Sequence, residues 1–414
     1  MSNESNSRNQ NGISPQVRKL FSANCMVRLA DELSNVKTTL PWLLSLAGAP
    51  AFFTGLLVPL RESLSMLPQM FLAPLIKRAP KRRGFWTAAA IGQAVCLGLM
   101  PTALLLDNGM VAGWLIIGLL VVFSLSRCFT SITSKDLVGK SVPKSIRGRM
   151  QGAINLVSGP FILLTGFIFL TLTRDDVSGV HLAALFAAAA ALWLSGAWLI
   201  AGLEESDGET EDSDSTLKQA LIDTRELLAD REFRQLVLVR ALLLSPILAA
   251  PFLTRQIVAL RPEASILGLM IALSGTGTML SAYFWGKLAD HSSRATLFLA
   301  GLVSSTAVIS LPLLNSLSLF PALDESAYAY LAVFVVLTAG HTGVRIGRKT
   351  FTVNMATGNQ RTRIVATGNT LIGIILLLTS LTGLLAETLS LNTLLAFFSI
   401  PGLAGCLAAL TLGK

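Results

Sequence analysis

One short segment, RLADELSNVK from Arg28 to Lys37, combines residue types that can bind protons and anions. Its polar side chains are spaced i, i+3, i+4 and i+7, which is one face of a helix: Arg28, Asp31, Glu32 and Asn35. A carboxylate on such a face can take up a proton, and an arginine beside it can hold that carboxylate or an anionic ligand. The next 23 residues, TTLPWLLSLAGAPAFFTGLLVPL, contain no charge.

Further candidates interrupt later apolar segments. In RESLSMLPQ, Glu62 and Gln69 share a helical face and Arg61 precedes Glu62. Three single side chains lie deeper in other apolar segments: Arg127, Arg240 and His341. A histidine titrates near neutral pH, so it is a candidate proton acceptor. Each of these residues has a structural alternative, namely a buried ion pair, packing, or a charged end that reaches the membrane surface.

The composition indicates a membrane protein. Hydrophobic residues make up 52% of the 414 residues and charged residues only 14%, against about 25% charged in soluble domains. Apolar runs recur at the length of about 20 residues that a helix needs to cross a bilayer. We therefore expect an all-α integral membrane protein. Its twelve predicted transmembrane spans are 22–46, 53–76, 85–106, 111–134, 148–172, 181–203, 233–254, 264–287, 295–315, 326–347, 363–387 and 390–411.

Basic residues are unevenly distributed among the predicted loops. The loops after spans 2 and 4 hold five Lys or Arg each when Arg149, at the start of span 5, is included, whereas the loops on the opposite side hold only Arg174, Arg255 and Arg261. By the positive-inside rule, this asymmetry predicts that both termini are cytoplasmic. The net charge of +9 is then explained by loop bias, and no nucleic-acid partner is expected.

An acidic, polar segment divides the chain into two halves of six spans. We expect a disordered cytoplasmic tail over 1–20, an N-terminal half over 21–203, a cytoplasmic linker with a short amphipathic helix over 204–232, and a C-terminal half over 233–414. The halves resemble each other weakly. SRCFTSITSK, which contains Arg127, aligns without gaps with GHTGVRIGRK, which contains His341.

The segment GKLADHSSR, between spans 8 and 9, resembles a loop signature of the major facilitator superfamily. Gly286, Asp290 and Arg294 match its glycine, acid and base, and Ser293 departs from its second glycine. The corresponding first-half segment, APLIKRAPKRR, is degraded. The resemblance covers about residues 20–412 and implies that superfamily's two-half fold. It also implies a pathway role for Arg127, although the rest of the span 4 motif is absent.

The resemblance further implies a cytoplasmic gate. Asp290 would pair with Arg147 or Arg149 when the transporter opens outward, and ordinary loop solvation is the alternative. Asp136, at the end of span 4, would pair with Lys81 or Arg82.

The length of chain available places RLADELSNVK inside the membrane. Two spans and a turn need nearly all of the residues between Phe21 and Lys77, so the segment belongs to the cytoplasmic half of span 1. A charge at the bilayer centre costs about 2.5–3.5 kcal/mol on insertion scales, which favours a stripe that faces a cavity or the protein interior. An interfacial helix is the alternative.

These features predict a secondary active transporter that is proton-coupled and moves a small polar or anionic solute across the inner membrane by alternating access. Asp31 or Glu32 would take the proton, and Arg28, Arg127 and Arg240 would hold an anionic group. The alternatives are a proton antiporter for lipophilic drugs and a non-transporting receptor or scaffold with the same fold.

No enzyme activity, cofactor or metal is expected. The sequence has no G-x-x-x-x-G-K-[ST] loop for ATP, and the four cysteines are scattered singly without zinc-type spacing. The expected partners are a small-molecule substrate, protons and the lipid bilayer, and the expected assembly is a monomer.

Overall fold

The computed structural model describes residues 15–69, 71–72, 76, 78–172, 177–207, 217–317, 325–355 and 358–413. These residues form helices joined by short turns. The α-helices are α1 Pro15–Leu33, α2 Thr39–Leu46, α3 Ala51–Met66, α4 Arg83–Leu99, α5 Gly109–Ser141, α6 Lys144–Leu172, α7 Gly179–Ala201, α8 Leu217–Ala229, α9 Arg231–Leu244, α10 Ala250–Leu260, α11 Ala264–His291, α12 Ser293–Ser316, α13 Ala327–Met355, α14 Gly358–Thr379, α15 Thr382–Leu385 and α16 Leu391–Leu410. Two 3₁₀ helices, Met100–Leu105 and Pro246–Ala249, continue α4 and follow α9.

Ten helical segments of the described chain are long and apolar enough to cross a membrane. They correspond to predicted spans 3 to 12. The first two predicted spans contain α1, α2 and α3. Helices α2 and α3 have only 8 and 16 residues, which is too short for this group, and α1 is rich in charged residues. The chain is therefore a multi-pass helical membrane protein, and the total of twelve spans stays a prediction.

Two predicted boundaries differ from the structure. Helix α1 begins at Pro15, so the last residues of the predicted disordered tail are helical, whereas residues 1–14 lie outside the described chain. Val17 and Leu20 are buried, and the ammonium of Lys19 donates to the carbonyl of Gly202 at the end of α7. Docking against α7 explains why this polar sequence is ordered. Part of the predicted linker, 208–216, also lies outside the described residues, and α8 follows it.

Helices α5 and α13 are longer than the sequence analysis predicts. Helix α5 continues to Ser141, and α13 continues to Met355. Lys135, Lys140 and Arg348 therefore lie on helices and not in the loops to which they were assigned. The reason is local, because no proline interrupts α5 before Pro143 and no proline interrupts α13.

The first span of each half is broken. Helix α1 ends at Leu33, and the side chain of Asn35 accepts a hydrogen bond from the backbone N–H of Lys37 at 2.9 Å, which closes a local turn before α2. In the second half, Pro246 and Pro251 interrupt the path from α9 to α10, because proline lacks an N–H for the helical ladder. The two breaks occupy corresponding positions in the two halves.

Direct hydrogen bonds join the halves at one end of the bundle, which we call the closed end. It lies where the turns after α2 and α10 meet the end of α14. Three described hydrogen bonds cross between the halves here: Phe52 N–H to Glu387 at 2.7 Å, Arg255 to the Ala49 carbonyl at 2.9 Å, and Val177 N–H to the Pro262 carbonyl at 2.8 Å. A fourth lies deeper in the bundle, at the break of span 1, where Thr254 Oγ1 donates to the Lys37 carbonyl at 2.6 Å.

Glycines allow the halves to approach closely on the same side. A Cβ added to Gly55 in α3 would lie 2.4 Å from the Cα of Gly383 in α15. In the contact of α6 with α11, a Cβ on Gly166 would lie 2.7 Å from the Gly268 carbonyl. Backbone-to-backbone packing of this kind gives strong van der Waals contact between helices in lipid.

At the opposite end, which we call the open end, the described hydrogen bonds and ion pairs stay within one half or its linker. Glu205, after α7, accepts backbone N–H groups of Arg82 and Arg83 at 2.8–2.9 Å and the Lys140 ammonium at 2.8 Å. Asp136 pairs with Arg82 and lies 3.0 Å from Lys140. These contacts tie the loop before α4 to α5 and α7 within the first half.

The hydrogen bonds to Glu205 predict a pH-dependent contribution to stability. Burial acts to raise the pKa of Glu205, but the hydrogen bonds from Lys140 and the two backbone N–H groups outweigh it, and the pKa lies below its ordinary value. The stabilisation is therefore full above the unfolded pKa of about 4.3 and is lost as the pH falls below it. Glu205→Gln should cost about 2 kcal/mol at neutral pH, measured as a lower thermal midpoint in detergent.

The difference in thermal midpoint between wild type and Glu205→Gln should narrow as the pH falls below about 4.3. Glu204→Gln is the matched control, because Glu204 is exposed and accepts only from Gln16. Equal midpoints for the two variants at neutral pH would contradict this account.

The glycine contact predicts how the closed end can be opened. Gly55→Val would push α3 and α15 apart, because even one added carbon has no room beside Gly383. Spin labels at Leu46 and Leu384, in opposite halves, should show a longer distance in this variant. Gly118→Val is the control, because nothing lies within 4 Å of a Cβ at Gly118. An unchanged distance in Gly55→Val would refute the contact.

Candidate functional site

Asp31 forms an ionic cluster with two arginines from other helices. Its carboxylate in α1 lies 3.3 Å from the Arg61 guanidinium in α3, and its second oxygen accepts from Arg127 in α5. The three side chains are only 14–25% exposed. The charged stripe on α1 therefore faces other helices, and RLADELSNVK is not a solvated interfacial helix.

Aromatic rings hold the same arginines from the other side. The Arg61 guanidinium lies 4.6 Å from the ring centre of Phe123, and that of Arg127 lies 5.3 Å from Trp193. A cation over a ring face gains about 0.5–2 kcal/mol, most when water is excluded. Each arginine is thus fixed between a carboxylate and a ring, so its charge is largely balanced inside the first half.

Glu32 completes the stripe and leads into the break of span 1. It lies 3.1 Å from Arg28, one turn earlier, and accepts from the Asn35 amide at 3.1 Å. Asn35 in turn holds the backbone N–H of Lys37. The polar stripe predicted from spacing therefore connects the proton-binding candidates to an interrupted helix.

A second row of basic residues faces this stripe from α13 of the other half. The row follows helical spacing: His341, Arg345, Arg348 and Lys349. Arg345 interacts electrostatically with Arg28, Glu32 and Glu62 of the first half. Its side chain is nevertheless exposed, so it projects into solvent-accessible space between the halves.

Together these groups form one electrostatically connected set, which we call the cavity cluster. Among the described residues it contains nine cations, Arg28, Lys37, Arg61, Arg127, Lys135, Arg240, Arg345, Arg348 and Lys349, and three carboxylates, Asp31, Glu32 and Glu62. The excess of six positive charges is concentrated on the second half, which contributes four of the cations and none of the carboxylates.

The two second-half candidates are both buried. Arg240 is 4% exposed and donates to the Asn369 side chain at 2.9 Å. His341 is 8% exposed and lies in electrostatic range of Lys37, Arg345 and Arg348. A positive charge on the imidazole would add to the cation excess, so the surroundings of His341 do not resemble a prepared proton site.

Glu62 differs from the other two carboxylates of the cluster. Its carboxylate makes no hydrogen bond or ion pair with any described residue, yet it interacts electrostatically with Lys37, Arg345 and Arg348. It is the twelfth residue of α3, about 16 Å along the helix from its start. This position, about three turns into the helix, separates Glu62 from the closed end. Gln69 bonds its amide to the Ser65 carbonyl of its own helix.

The sequence analysis missed five cations of the cluster: Lys37, Lys135, Arg345, Arg348 and Lys349. Arg348, Lys349 and Lys135 were assigned to loops, whose charges needed no further explanation. A signal was available, because the alignment of the halves pairs Lys135 with Lys349 and places Arg345 and Arg348 on the helical face of His341.

The predicted gate residues are not in contact with one another. Asp290, at the end of α11, is exposed and forms no described ion pair. Arg147 donates to the carbonyls of Val142 and Gly139 at 2.8 and 2.6 Å, while Arg149 is exposed. The remaining motif residues lie apart from them: Gly286 lies within α11, and Arg294 donates to the Leu412 carbonyl at 3.3 Å. The gate pairing of Asp290 with Arg147 or Arg149 remains a prediction for a conformation in which the open end is closed.

Two further features of the described chain bear on metal and ligand binding. No three His, Cys, Asp or Glu residues group closely enough to hold a metal ion. A pocket of about 230 Å³ lies at the break of the first span of the second half, lined mainly by apolar residues that include Leu248, Phe397 and Phe398. Phe397 is 43% exposed, and none of the residues that line this pocket belongs to the cavity cluster.

The Asp31 cluster predicts a strong effect of one neutral substitution. Asp31→Asn leaves two arginines without their carboxylate, and it should lower stability by about 2–3 kcal/mol, the low side for a broken buried pair because some water reaches it. Thermal unfolding in detergent measures this loss. The double variant with Asp31→Asn and Arg127→Gln should lose less free energy of unfolding than the sum of the losses in the two single variants.

Asp207→Asn is the control for that measurement. Asp207 is 73% exposed and lies 3.8 Å from Lys81, and such exposed pairs contribute at most about 1 kcal/mol. Additive losses for Asp31→Asn and Arg127→Gln would show that the two residues do not act as a pair.

Comparison with solved structures finds several transporters of similar fold. A POT family transporter in complex with a thioalcohol-conjugated peptide aligns with a TM-score of 0.73 at 10% identity over 95% of both chains. A D-xylose–proton symporter aligns with a TM-score of 0.70 at 13% identity over 96% of this chain and 97% of its own. The nucleoside transporter NupG aligns with a TM-score of 0.70 at 11% identity over 96% and 100%.

No protein-family model and no curated protein sequence matches the chain. The structural likeness nevertheless spans nearly the whole chain and extends over both halves. The chain therefore has the fold of the transporters of the major facilitator superfamily.

Proposed function

We propose that this protein is a proton-coupled secondary transporter that moves a small anionic solute across the inner membrane by alternating access. The observation that carries the proposal is the cation excess of the cavity cluster. The cluster, which includes residues of both halves, has nine basic side chains and only three carboxylates among the described residues.

Such an excess is costly in a membrane. Each charge at the centre of a bilayer costs about 2.5–3.5 kcal/mol on insertion scales, and uncompensated cations also repel one another. A purely structural role would be better served by paired charges, as the first half shows with Asp31. An anionic solute that enters from water would supply the missing negative charge.

The position of the cluster agrees with alternating access. The halves are bonded at the closed end, and no described hydrogen bond or ion pair joins them at the open end. Transporters of this kind place their site near the midplane, often beside interrupted helices. Lys37 lies in such an interruption. The positive-inside rule makes the open end cytoplasmic, so this conformation faces inward.

The geometry shifts the anion-binding role towards the second half. The sequence analysis assigned it to Arg28, Arg127 and Arg240, but Arg28 and Arg127 already hold carboxylates. Lys37, Arg345 and Arg348 have no described ion pair. We assign the solute's anionic group to these three cations and the proton to one carboxylate of the cluster. The same excess disfavours lipophilic cations as substrates.

The proposal predicts that removing one cation of the second half abolishes solute binding. Compounds from a library of small organic anions should raise the thermal midpoint of the wild type in detergent. Arg345→Gln and Arg348→Gln should remove that shift. Binding at a hundredfold excess over Kd is equivalent to about 2.7 kcal/mol, which a midpoint measurement resolves.

Arg231→Gln is the matched control, because Arg231 is exposed at the start of α9 and distant from the cluster. It should bind like the wild type. A stabilising anion should then accumulate in proteoliposomes when a proton gradient is imposed. Stabilisation by neutral or cationic compounds alone, or equal shifts in Arg345→Gln and Arg231→Gln, would overturn the proposal.

A further inference from the structure

We propose that the apolar pocket at the break of the second half's first span binds an acyl chain of a membrane phospholipid, and that the bound chain stabilises the packing of the two halves at the closed end. The pocket has a volume of about 230 Å³ and lies between α9, α14 and α16. The inference concerns a lipid site and goes beyond the proposed function, because it does not depend on which solute is moved.

The break in the helix fixes the position of the pocket. Pro246 has no N–H for the helical ladder, so α9 ends and the chain continues as the 3₁₀ helix Pro246–Ala249. Helix α16 lies against this break, because a Cβ added to Gly402 would lie only 2.4 Å from the ring of Pro246. Leu248 and Pro401, close to this contact in the two elements, line the pocket. Its walls are therefore held by backbone packing.

The chemistry of the lining favours hydrocarbon. Among the described lining residues no side chain is charged, and three carry hydroxyls: Ser245, Thr379 and Thr382. The Thr379 hydroxyl donates to the Leu376 carbonyl at 2.7 Å, and that of Thr382 donates to the Thr379 carbonyl at 2.6 Å. A polar ligand would lose hydrogen bonds to water here and find few in return, whereas an apolar chain has none to lose.

The exposed side chains beside the pocket face the bilayer. Helix α16 packs on α9 and α12 of its own half, so its exposed residues point away from the space between the halves. Phe397, which lines the pocket, is 43% exposed, and Ile400 is 62% exposed. On α14, Leu378 is 63% exposed next to Thr379. The surrounding medium at this surface is lipid, which makes a membrane lipid the available occupant.

The depth of the pocket selects the acyl chain and not the headgroup. Helix α16 begins at Leu391, shortly after Glu387 of the closed end. Phe397 is its seventh residue, about 9 Å along the helix from Leu391. The pocket therefore lies below the helix end, at the level of the hydrocarbon in the leaflet on the side of the closed end.

Two walls of the pocket continue into the contact between the halves. Phe398 stacks on Phe252 of α10 with 6.0 Å between ring centres, and the tip of Phe252 lies 3.2 Å from the position of a Cβ on Gly55 in α3. Thr382 directly precedes Gly383, whose Cα is 2.4 Å from the same Cβ position. The pocket is thus one side chain away from the glycine contact of the closed end.

This arrangement explains how a bound chain acts on the conformation. Helices in lipid are held together largely by van der Waals contact, and walls that face a void lack part of that contact. An acyl chain supports Phe398 and the start of α15 from the side opposite to α3. Opening of the closed end removes that arrangement, so the chain binds the closed arrangement better and raises its population.

Dioleoyl phosphatidylethanolamine is the probe for the site. Native mass spectrometry of the purified protein in detergent measures its binding, and Ala241→Phe places a ring in the pocket from α9. One lipid should bind the wild type more tightly than the remaining lipids, and Ala241→Phe should weaken that binding about tenfold or more. Dioleoyl phosphatidylglycerol should bind the wild type equally well, because no described charge lines the pocket.

Two further variants complete the binding experiment. Ala188→Phe is the matched control, because Ala188 is an exposed alanine of α7 in the first half and should bind lipid like the wild type. Thr379→Leu fills the pocket from α14 with a smaller side chain. It should weaken binding to a lesser degree, and it keeps the test valid if the phenylalanine variant does not fold.

The effect on the closed end is measured with spin labels at Leu46 and Leu384. Added lipid should raise the fraction of short distances in the wild type. Ala241→Phe should show the short distance without lipid, because its ring occupies the pocket permanently.

The outcomes decide between the two parts of the inference and their alternatives. Equal lipid binding by Ala241→Phe and Ala188→Phe would overturn the site. Much tighter binding of phosphatidylglycerol than of phosphatidylethanolamine would show an electrostatic surface site instead. Loss of lipid binding without any change in the label distances would overturn the link to the closed end. None of these results bears on the anion site, since no lining residue belongs to the cavity cluster.

Discussion

Uncompensated positive charge between the two halves is the constraint on which the rest of this structure depends. The first half balances its membrane-embedded arginines with Asp31, Glu32 and two aromatic rings. The second half leaves Arg345 and Lys349 exposed to the space between the halves, where water lowers the cost of their charge. The described hydrogen bonds between the halves do not reach the open end, so water can enter this space.

The internal repeat explains how one fold contains both arrangements. The alignment of the halves places Arg127 opposite His341, Ser131 opposite Arg345 and Ser134 opposite Arg348. In α5 the single arginine ties three helices together, whereas in α13 the basic residues point to the other half. Equivalent positions thus stabilise one half and, in the function we propose, provide ligand-binding charge in the other.

Sequence reasoning was most successful where an interaction is local. Spacing alone predicted the face shared by Arg28, Asp31, Glu32 and Asn35, and the structure shows the i, i+4 pair of Arg28 with Glu32. The contact of Asp31 with Arg127 joins residues 96 positions apart, so no periodicity could reveal it. Apolar runs likewise predicted spans 3 to 12. The basic residues at the end of α13 were counted as loop residues, because this helix extends beyond its apolar part.

The charge of the cavity cluster also bears on why a proton and an anion would travel together. With no solute bound, the described cluster has nine basic groups and three carboxylates. A proton alone raises the excess by one, and a monovalent anion bound with the proton restores it. When the halves rock, the cluster passes through a region of low dielectric constant. Added charge there raises the free-energy barrier to the conformational change. The protonated state without an anion, whose movement would leak protons, is therefore the most highly charged. Binding of the anion removes this extra charge.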